Sequence, residues 1–425
     1  MSGDKKRVII MQPGPIHLFW TSGVFYFWQL KDRFDFVFIV PSSYLKSNEF
    51  QKLLELPAVR HVEYLVTAEI LWRHYYYLKQ IRRVLKDFPP TYLLLHNISY
   101  PENQYLIHLA RRLYPQSLRY HYQNGRMPLM WEIDFAARRS TQVESIYRLM
   151  PWMSRVPRLT STLINTRNYL AYFTNFKIFA LMNVAQTFSP PINIFTGEVN
   201  FEAAKSHYEG KYDKILCYLD IEAQVYRDQG AQNVNVIQHP MSLRGDEVFR
   251  FLFGDFNVKN QIVIFPSCGF TSSLIESGWD EVDLINHISG RWFDVIQSLL
   301  IKFPTFNVKI KLHPASHADP LWQNIVTQLQ LKLGSKLDVI ESKVSAEFLV
   351  VQSRVIVGDV TSVLWWAAMY GNKTVVSFDI FGYAGGNEMQ LYKPHIDYVC
   401  NLAEYITTES GGKTVESRGL IEYFQ

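Results

Sequence analysis

The stretch "RVIVGDVTSVLWWAAMYGNKTVVSFD", residues 354–379, reads as a complete strand–helix–strand unit. Its first and last segments are short and almost continuously apolar, as in parallel strands that are covered on both faces. The middle segment begins at a threonine–serine pair and ends before a glycine, which are typical start and stop signals of a helix. The stretch therefore predicts a βαβ unit in a parallel sheet.

The same alternation of strand and helix continues along much of the chain. The strand-like segments begin at Arg7, Phe34, Thr91, Leu118, Asp213 and Val234 in the first half, and at Gln261, Val308, Leu337, Arg354 and Lys373 in the second. Helical patterns, such as residues 22–34, lie between them. This alternation predicts an α/β architecture with doubly wound parallel sheets.

Two sheets explain the pattern better than one. The chain has 425 residues, 48% of them hydrophobic, which is enough for two domains with full cores. Residues 239–260 are polar, contain Gly and Pro, and lie between two strands, after which the alternation restarts. We place the boundary near residues 240–258 and predict two Rossmann-like domains, 1–245 and 246–425, that face a cleft.

Composition excludes several classes of protein. A formal net charge of +4 is too small for a chain that binds polyanions over its whole surface. Cys217, Cys268 and Cys400 are far apart, which argues against a disulfide scaffold and suits a reducing compartment. The N-terminal apolar run is too short for a signal peptide, and no segment approaches about twenty apolar residues. We therefore expect a cytoplasmic protein.

Two segments, 71–88 and 137–182, mix aromatic side chains with arginines. Such segments can rest on a membrane surface, here the inner membrane, with rings at the acyl boundary and cations on lipid phosphates. Solvated helix faces are the simpler interpretation. No nucleic-acid-binding motif accompanies the arginines, so we expect no nucleic acid among the partners.

Ligands of open α/β sheets bind beyond the carboxyl ends of the strands. The strand at 308–312 is followed by His313–Pro314. Proline cannot donate to a sheet and holds the preceding residue extended, so this pair would turn the chain out of the sheet. His313 would project over the carboxyl edge, where an imidazole can bind a phosphate or protonate a leaving oxygen. The alternative is a simple strand cap, with the imidazole bonded to a carbonyl group.

Thr361 and Ser362 follow the predicted strand that begins at Arg354, and they begin a helix. As a bare cap, this pair satisfies free backbone N–H groups. The same N–H groups, with two hydroxyls, also form a phosphate site. Because the pair lies in the same domain as His313, the pair and His313 could bind one anion from opposite sides.

Other residues near predicted strand ends carry weaker functional signals. Ser267 and Gly269 lie in a loop of small residues that could approach a ligand closely. Gly14 permits a tight turn after the first strand, and His96 lies at the end of a strand in the same domain. Glu347 opens a helix and could bind ribose hydroxyls, although an acid in a first helical turn also complements the helix dipole.

A phosphate held from two sides on the second of two sheets is typical of nucleotide-sugar transferases of the two-Rossmann, or glycosyltransferase B, type. These enzymes need no metal because fixed donors neutralise the leaving phosphate. The Lys311-x-His313-Pro314 motif, followed about fifty residues later by the Thr-Ser helix start, resembles that of bacterial sialyltransferases and capsule polysialyltransferases. Related motifs occur in Kdo transferases and in polymerases of the CDP-glycerol type.

The resemblance implies roles for these residues. His313 would contact the donor phosphate and assist departure of the cytidine nucleotide. Thr361 and Ser362 would bind the same phosphate, with Lys311 and Pro314 part of the donor site.

The sequence departs from this family in the first domain. The sialyltransferases carry an acidic pair before a glycine, and one carboxylate takes the proton of the acceptor hydroxyl. The corresponding place here reads Gln123-Asn124-Gly125. Amides can hold a hydroxyl but cannot act as general bases near neutral pH. A displaced base, a more acidic acceptor and loss of activity remain open, and the candidate bases are Glu132, Asp134 and Glu102.

The sequence thus predicts a metal-independent inverting glycosyltransferase that uses a CMP-activated, sialic-acid-like donor to modify a bacterial surface glycan or glycolipid. Domain 1–245 would bind the acceptor and domain 246–425 the nucleotide sugar, with no further cofactor. The alternatives are a transferase that uses a CDP-glycerol, Kdo or UDP-sugar donor, a hydrolysing 2-epimerase of the same fold, and an inactive subunit of a polysaccharide assembly complex.

Overall fold

A computed structural model describes residues 6–14, 16, 19–65, 73–96, 101–123, 208–266, 279–313, 316–317, 319–341, 344–358, 361–370, 373–378 and 398–400. The chain divides into two compact units. The first unit comprises Met1–Arg244 with Ser417–Gln425, and the second comprises Gly245–Glu416.

The first unit alternates strands and helices in sequence. Its strands are β1 (Arg7–Met11), β2 (Asp35–Pro41), β3 (Val59–Leu65), β4 (Tyr92–Leu95), β5 (Leu118–Tyr122), β6 (Lys214–Cys217) and β7 (Val234–Val236). Its helices are α1 (Val24–Leu30), α2 (Asn48–Leu54), α3 (Arg73–Asp87), α4 (Pro101–Leu113) and α5 (Asp220–Asp228). A π-helical turn, Phe19–Gly23, leads into α1.

All neighbouring strands of this unit are parallel, in the order β3-β2-β1-β4-β5-β6-β7. The order reverses direction between β1 and β4, which makes the sheet doubly wound. Alternate side chains supply two cores, as the period of two in a strand requires. Ile9, Val37 and Leu93 pack with α3 and α4 on one face, whereas Phe36 and Phe38 meet Phe27 of α1 on the other.

The second unit repeats this architecture. Its strands are β8 (Lys259–Phe265), β9 (Asn307–Ile310), β10 (Leu337–Val339), β11 (Ser353–Gly358), β12 (Thr374–Phe378) and β13 (Tyr398–Cys400). Helix α6 (Pro240–Phe253) runs into this unit, and α7 (Glu281–Lys302), α8 (Pro320–Leu333), α9 (Ala346–Gln352) and α10 (Ser362–Tyr370) follow.

The second sheet is also parallel throughout, in the order β10-β9-β8-β11-β12-β13. Counted within the unit this is the order 3-2-1-4-5-6 of a dinucleotide-binding Rossmann sheet, with its reversal between β8 and β11. Ile262, Ile264 and Ile310 face α7 and α8, where Trp292 and Trp322 are fully buried. Both sheets confirm the predicted fold class of two doubly wound α/β units.

The structure differs from the sequence prediction in three elements. Strand β3 (Val59–Leu65) was not predicted because polar residues interrupt its apolar pattern. It lies at the edge of the sheet. Strand β13 was also missed. The segment 239–260, predicted as a polar connection, contains the helix α6, whose backbone departs from helical geometry at Arg244 (φ −136°, ψ 20°). It forms because Met241, Val248 and Phe249 supply one buried apolar face.

Of the two segments that mix rings with arginines, only part of the first is described, as α3. Residues 137–182 lie outside the described residues. In the part of the chain that the structure describes, no helix combines the length and the apolar character needed to cross a bilayer.

Candidate functional site

The reversal point of the second sheet holds a close backbone contact at its carboxyl edge. Gly358, the last residue of β11, is the registered partner of Phe265, the last residue of β8. A Cβ atom at Gly358 would lie 2.7 Å from the Phe265 carbonyl oxygen and 2.9 Å from Thr361 Cγ2. Only glycine therefore allows β8, β11 and the start of α10 to approach this closely.

Thr361 begins helix α10 at this edge. Its Oγ1 accepts a hydrogen bond from the Val363 N–H at 3.4 Å, and its carbonyl oxygen accepts one from the Leu364 N–H at 3.2 Å. Thr361 is thus the cap of the helix, which leaves its hydroxyl hydrogen available to donate. The remaining first-turn N–H groups and the positive end of the helix dipole face the same edge and suit an anion. Ser362 is the first helical residue, and its side chain lies outside the described residues.

His313 lies at the same edge, beyond β9. The Lys311 N–H donates to the Ile264 carbonyl at 2.9 Å, so pairing with β8 continues one residue past β9. Lys311 and Leu312 are buried, whereas His313 is exposed. The His313 carbonyl then accepts the Ser316 N–H at 2.8 Å, which closes a turn. Since β9, β8 and β11 are consecutive, the ends of β9 and β11 are about 10 Å apart.

Glu347 adds a carboxylate to this edge from the first turn of α9. Ser345 caps α9 by accepting the Phe348 N–H at 3.2 Å, and its hydroxyl donates to Glu347 Oε2 at 2.7 Å. Glu347 is half-buried. Desolvation raises the pKa of its carboxyl, against the opposing effects of the Ser345 hydrogen bond and the Lys311 charge. The group is therefore easier to protonate than an exposed glutamate.

Among the described residues, a buried polar layer lies at the carboxyl edge of the first sheet. Tyr122 Oη donates to Gln12 Oε1 at 3.0 Å, and Gln12 Nε2 lies 2.9 Å from His96 Nε2. With the Gln12 oxygen occupied by the tyrosine, its amide nitrogen donates to the imidazole, which places the histidine proton on Nδ1. Burial lowers the pKa of His96 to about 3. His96 is therefore a neutral, internal member of this layer.

Gln123 follows β5 in the same layer and is 2% exposed. Its N–H donates to the Leu216 carbonyl at 3.0 Å. Its carbonyl oxygen accepts a hydrogen bond from the Tyr218 hydroxyl at 2.9 Å, and Tyr26 Oη, 3.0 Å from the Tyr218 oxygen, donates to it in turn. Gly14 lies beyond β1, where its carbonyl accepts the Tyr44 hydroxyl at 3.3 Å.

The structure places the described candidates in two groups, one in each unit. His313, Lys311, Thr361 and Glu347 belong to the second sheet, and Gly14, His96 and Gln123 to the first. Glu102, one of the alternative bases, is buried in the first turn of α4. The remaining candidates lie outside the described residues, and these are Asn124, Gly125, Glu132, Asp134, Ser267, Gly269 and Pro314.

Sequence reasoning missed Gly358, Gln12 and Tyr122. A glycine that ends an otherwise apolar parallel strand was the available signal for Gly358. Nothing in the sequence marks Gln12 and Tyr122, which meet across strands 110 residues apart. Among the described residues, no group of three or more His, Cys, Asp or Glu side chains is arranged to hold a metal ion.

Comparison with known proteins gives structural similarity only. No family model and no curated protein matches the chain. The UDP-GlcNAc 2-epimerase of Methanocaldococcus jannaschii matches with 13% identity and a TM-score of 0.48, over 88% of this chain and 83% of that one. The Neisseria meningitidis UDP-GlcNAc 2-epimerase bound to UDP-GlcNAc matches with 12% identity and a TM-score of 0.47, over 92% and 86%.

An Anabaena protein in complex with UDP-glucose matches with 11% identity and a TM-score of 0.41, over 90% of this chain and 82% of that one. The fold class follows from the order and direction of the strands in the two sheets.

Proposed function

We propose that the second unit binds a nucleotide-activated sugar at the carboxyl edge of its sheet, and that the protein is a metal-independent inverting glycosyltransferase. The observation that carries the proposal is the arrangement at the reversal point of the sheet. There the exposed His313 beyond β9 and the helix start at Thr361 beyond β11 flank the end of β8. Ligands of open α/β sheets bind at this place.

The phosphate of the donor would lie at the start of α10. First-turn N–H groups and the Thr361 hydroxyl donate hydrogen bonds to an oxyanion, and the helix dipole favours its charge. His313, on the other side of β8, donates to the phosphate as the bond to the sugar breaks and negative charge grows on the leaving oxygen. Because the helix holds its first-turn N–H groups in place before the reaction, they would stabilise the leaving nucleotide without a metal ion.

Glu347 would bind the ribose. A carboxylate accepts hydrogen bonds from two hydroxyls at once, and the capped first turn of α9 holds it in place. The carboxyl must be ionised to do so, and burial already raises its pKa. Acid would therefore weaken ribose binding.

The acceptor would belong to the first unit, near Gly14 and the Gln123-Asn124-Gly125 sequence. Gln123 is buried, so Asn124 is the amide that would orient an acceptor hydroxyl. An amide cannot remove the proton of that hydroxyl, so a carboxylate would act as base. The candidates for this base are Glu132, Asp134 and Glu102.

A second function has one observation in its favour, since Gln123 is a buried amide where the family has an acid. This second function is that of an inactive subunit in a polysaccharide assembly complex.

The resemblance of the His-Pro and Thr-Ser motifs favours a cytidine nucleotide, and within that class a CMP-linked, sialic-acid-like sugar. The partner would be a bacterial surface glycan or glycolipid, which suits a cytoplasmic enzyme at the inner membrane. A UDP-sugar donor, used by a transferase or by a 2-epimerase, is the competing assignment.

The test begins with binding to the full chain by isothermal calorimetry in the presence of EDTA, with CMP, CDP, UDP and AMP as ligands. A preference for CMP or CDP supports the proposed donor class, and a preference for UDP replaces it with the UDP-sugar class. Failure of all four to bind overturns nucleotide-sugar binding.

Release of free nucleotide from a panel of sugar donors, followed by mass spectrometry with acceptor glycans, tests transfer itself. Binding without release in every combination favours the inactive subunit. Abolition of release by EDTA, restored by a divalent cation, contradicts a metal-independent reaction.

A further inference from the structure

Lys311 is a buried lysine beside the proposed phosphate site. Its side chain is 4% exposed, although it is only two residues from the exposed His313. Lysine is rarely buried this completely, because its ammonium loses hydration unless the protein supplies partners. Lys309, two residues earlier in β9, is more accessible to solvent. Its Nζ forms an ion pair of 3.4 Å with the mostly exposed Asp338 of β10.

The strand period explains where the Lys311 side chain goes. Val308, Ile310 and Leu312 belong to the core shared with α7 and α8 on one face of the sheet. Lys311 therefore points to the opposite face, where α9 contacts β8 and β11. Helix α9 carries Glu347 in its first turn, and the Lys311 charge favours the ionised form of that carboxyl.

One hydrogen bond of the ammonium is directed at the main chain. Lys311 Nζ donates to the Leu312 carbonyl oxygen at 3.1 Å. That carbonyl belongs to the peptide unit that joins Leu312 to His313. A charged donor on this oxygen fixes the plane of the peptide, and thereby the direction in which the chain leaves the sheet at His313.

The charge of Lys311 also acts on two titratable groups. It favours the ionised form of Glu347, and it lowers the pKa of His317 in the turn after His313, where burial is the larger cause. The Lys311 charge thus opposes protonation of both groups.

We infer that Lys311 is a positioning residue that couples the His313 turn to Glu347, and that it is not a ligand of the donor phosphate. This inference rests on the proposed function for the roles of His313 and Glu347. The orientation of the His313 peptide by Lys311 is a property of the protein without nucleotide. The two ideas can therefore fail separately.

The variants Lys311→Met and Lys311→Arg test the inference, with Lys309→Met as the matched control. Methionine fills a similar volume without the charge or the donor, and the arginine fork keeps the charge but presents its donors in another geometry. Lys309→Met removes a lysine of the same strand from a solvent-accessible ion pair, which contributes little. Thermal unfolding first establishes that each variant is folded. If Lys311→Met does not fold, Lys311→Arg, which retains the buried charge, takes its place.

The first measurement is hydrogen exchange of the Ser316 amide without nucleotide. This N–H is bonded to the His313 carbonyl and reports the turn directly. We expect exchange to become at least about tenfold faster in Lys311→Met and in Lys311→Arg, and to be unchanged in Lys309→Met. Unchanged exchange in both Lys311 variants overturns the positioning role.

The second measurement separates positioning from phosphate binding. We expect kcat to fall about 100-fold in Lys311→Met, the scale of a misplacement of about 1 Å, while the Kd for the free nucleotide changes less than about threefold. A Kd weakened tenfold or more with unchanged exchange makes Lys311 a phosphate ligand and overturns the inference. If the unmodified protein binds no nucleotide, the proposed function fails, and the Ser316 exchange alone decides whether Lys311 holds the turn.

Discussion

The described parts of the carboxyl edges of the two sheets follow parallel strands in both units, but they differ in how far their polar side chains are buried. In the first unit the described part of the edge is buried, with His96, Gln12 and Tyr122 in one hydrogen-bonded layer and Glu102 buried in the first turn of α4. In the second unit the edge presents an exposed histidine, a half-buried glutamate and a helix start. Strand order therefore locates a possible site in each sheet, but the side chains decide that the second one suits an anion.

The largest effect is expected from removing the exposed histidine of the second edge. His313→Ala takes away the proposed donor to the leaving phosphate, so transfer should fall by about 10²–10⁴-fold, as for general acids elsewhere. Release of nucleotide from the donor panel measures it. His287→Ala in α7, which removes a partly exposed histidine of the same unit beside Trp279, is the control and should retain activity. Equal cellular function of both variants would favour the inactive-subunit assignment.

The buried layer of the first edge should make the protein sensitive to acid. Burial lowers the pKa of His96 and of His239 to about 3 each, whereas an unfolded histidine titrates near 6.5. The unfolded state thus binds more protons below pH 6.5, and stability falls as the pH falls from there towards about 3. Each histidine contributes at most about 1.4 kcal/mol per pH unit in that window.

Urea unfolding between pH 7 and pH 5 measures this loss. Both imidazoles accept hydrogen bonds, His96 from Gln12 and His239 Nδ1 from the Met241 N–H at 3.1 Å, and protonation removes these acceptors. His96→Asn should give a shallower dependence on pH than the unmodified protein. The same slope in both proteins would show that His96 does not titrate in the expected way.

A side chain at the reversal point of the second sheet should be costly. Gly358→Ala would place Cβ 2.7 Å from the Phe265 carbonyl oxygen, a backbone atom that cannot turn aside. We expect a loss of about 1–3 kcal/mol of stability, typical of overpacking, and weaker nucleotide binding. Gly290→Ala in α7 is the matched control, since nothing lies within 4 Å of its Cβ position. A gain of up to about 1 kcal/mol is expected there, and equal behaviour of the two variants would contradict the close approach.

The smallest effect concerns Glu347. Burial raises the pKa of its carboxyl, Ser345 and Lys311 oppose this, and ribose binding needs the ionised form. Nucleotide affinity should therefore decrease as the pH falls through that raised value, and the decrease should begin at a higher pH in Lys311→Met. Glu347→Gln should weaken binding about tenfold, consistent with the loss of charged hydrogen bonds, and abolish this part of the pH dependence. Calorimetric titrations at several pH values would reveal a dependence that persists in Glu347→Gln and so has another origin.

The core strands could be predicted because they are buried on both faces and read as apolar runs. β8, "KNQIVIF", and β11, "SRVIVG", carry this signal without any long-range information. The strands that were missed lack it, since β3 has polar residues at alternate positions and β13 has only three residues. The helix α6 was missed because Gly245 and the charged residues around it obscured an apolar face that only packing defines.

For the candidate site, too, the sequence predicts what depends on local patterns and does not predict what depends on packing. Several candidates, such as His313 and Gly14, could be placed after a strand, because proline, glycine and hydroxyl residues mark strand and helix ends locally. Burial could not be predicted in this way. His96 and Gln123 lie inside a hydrogen-bonded layer, and Lys311 points into the second unit although it neighbours an exposed histidine.

The sequence by itself determined the two α/β units, their parallel strands and the position of His313 beyond β9, because these depend on short-range patterns of apolar and turn-forming residues. The tertiary structure alone decided which polar side chains are buried, that Gly358 must lack a side chain, and that the Lys311 ammonium reaches the Leu312 carbonyl. These features depend on contacts between strands and helices that are distant in sequence. The strand period fixes the face on which a side chain lies, but only the neighbouring elements determine what it meets there.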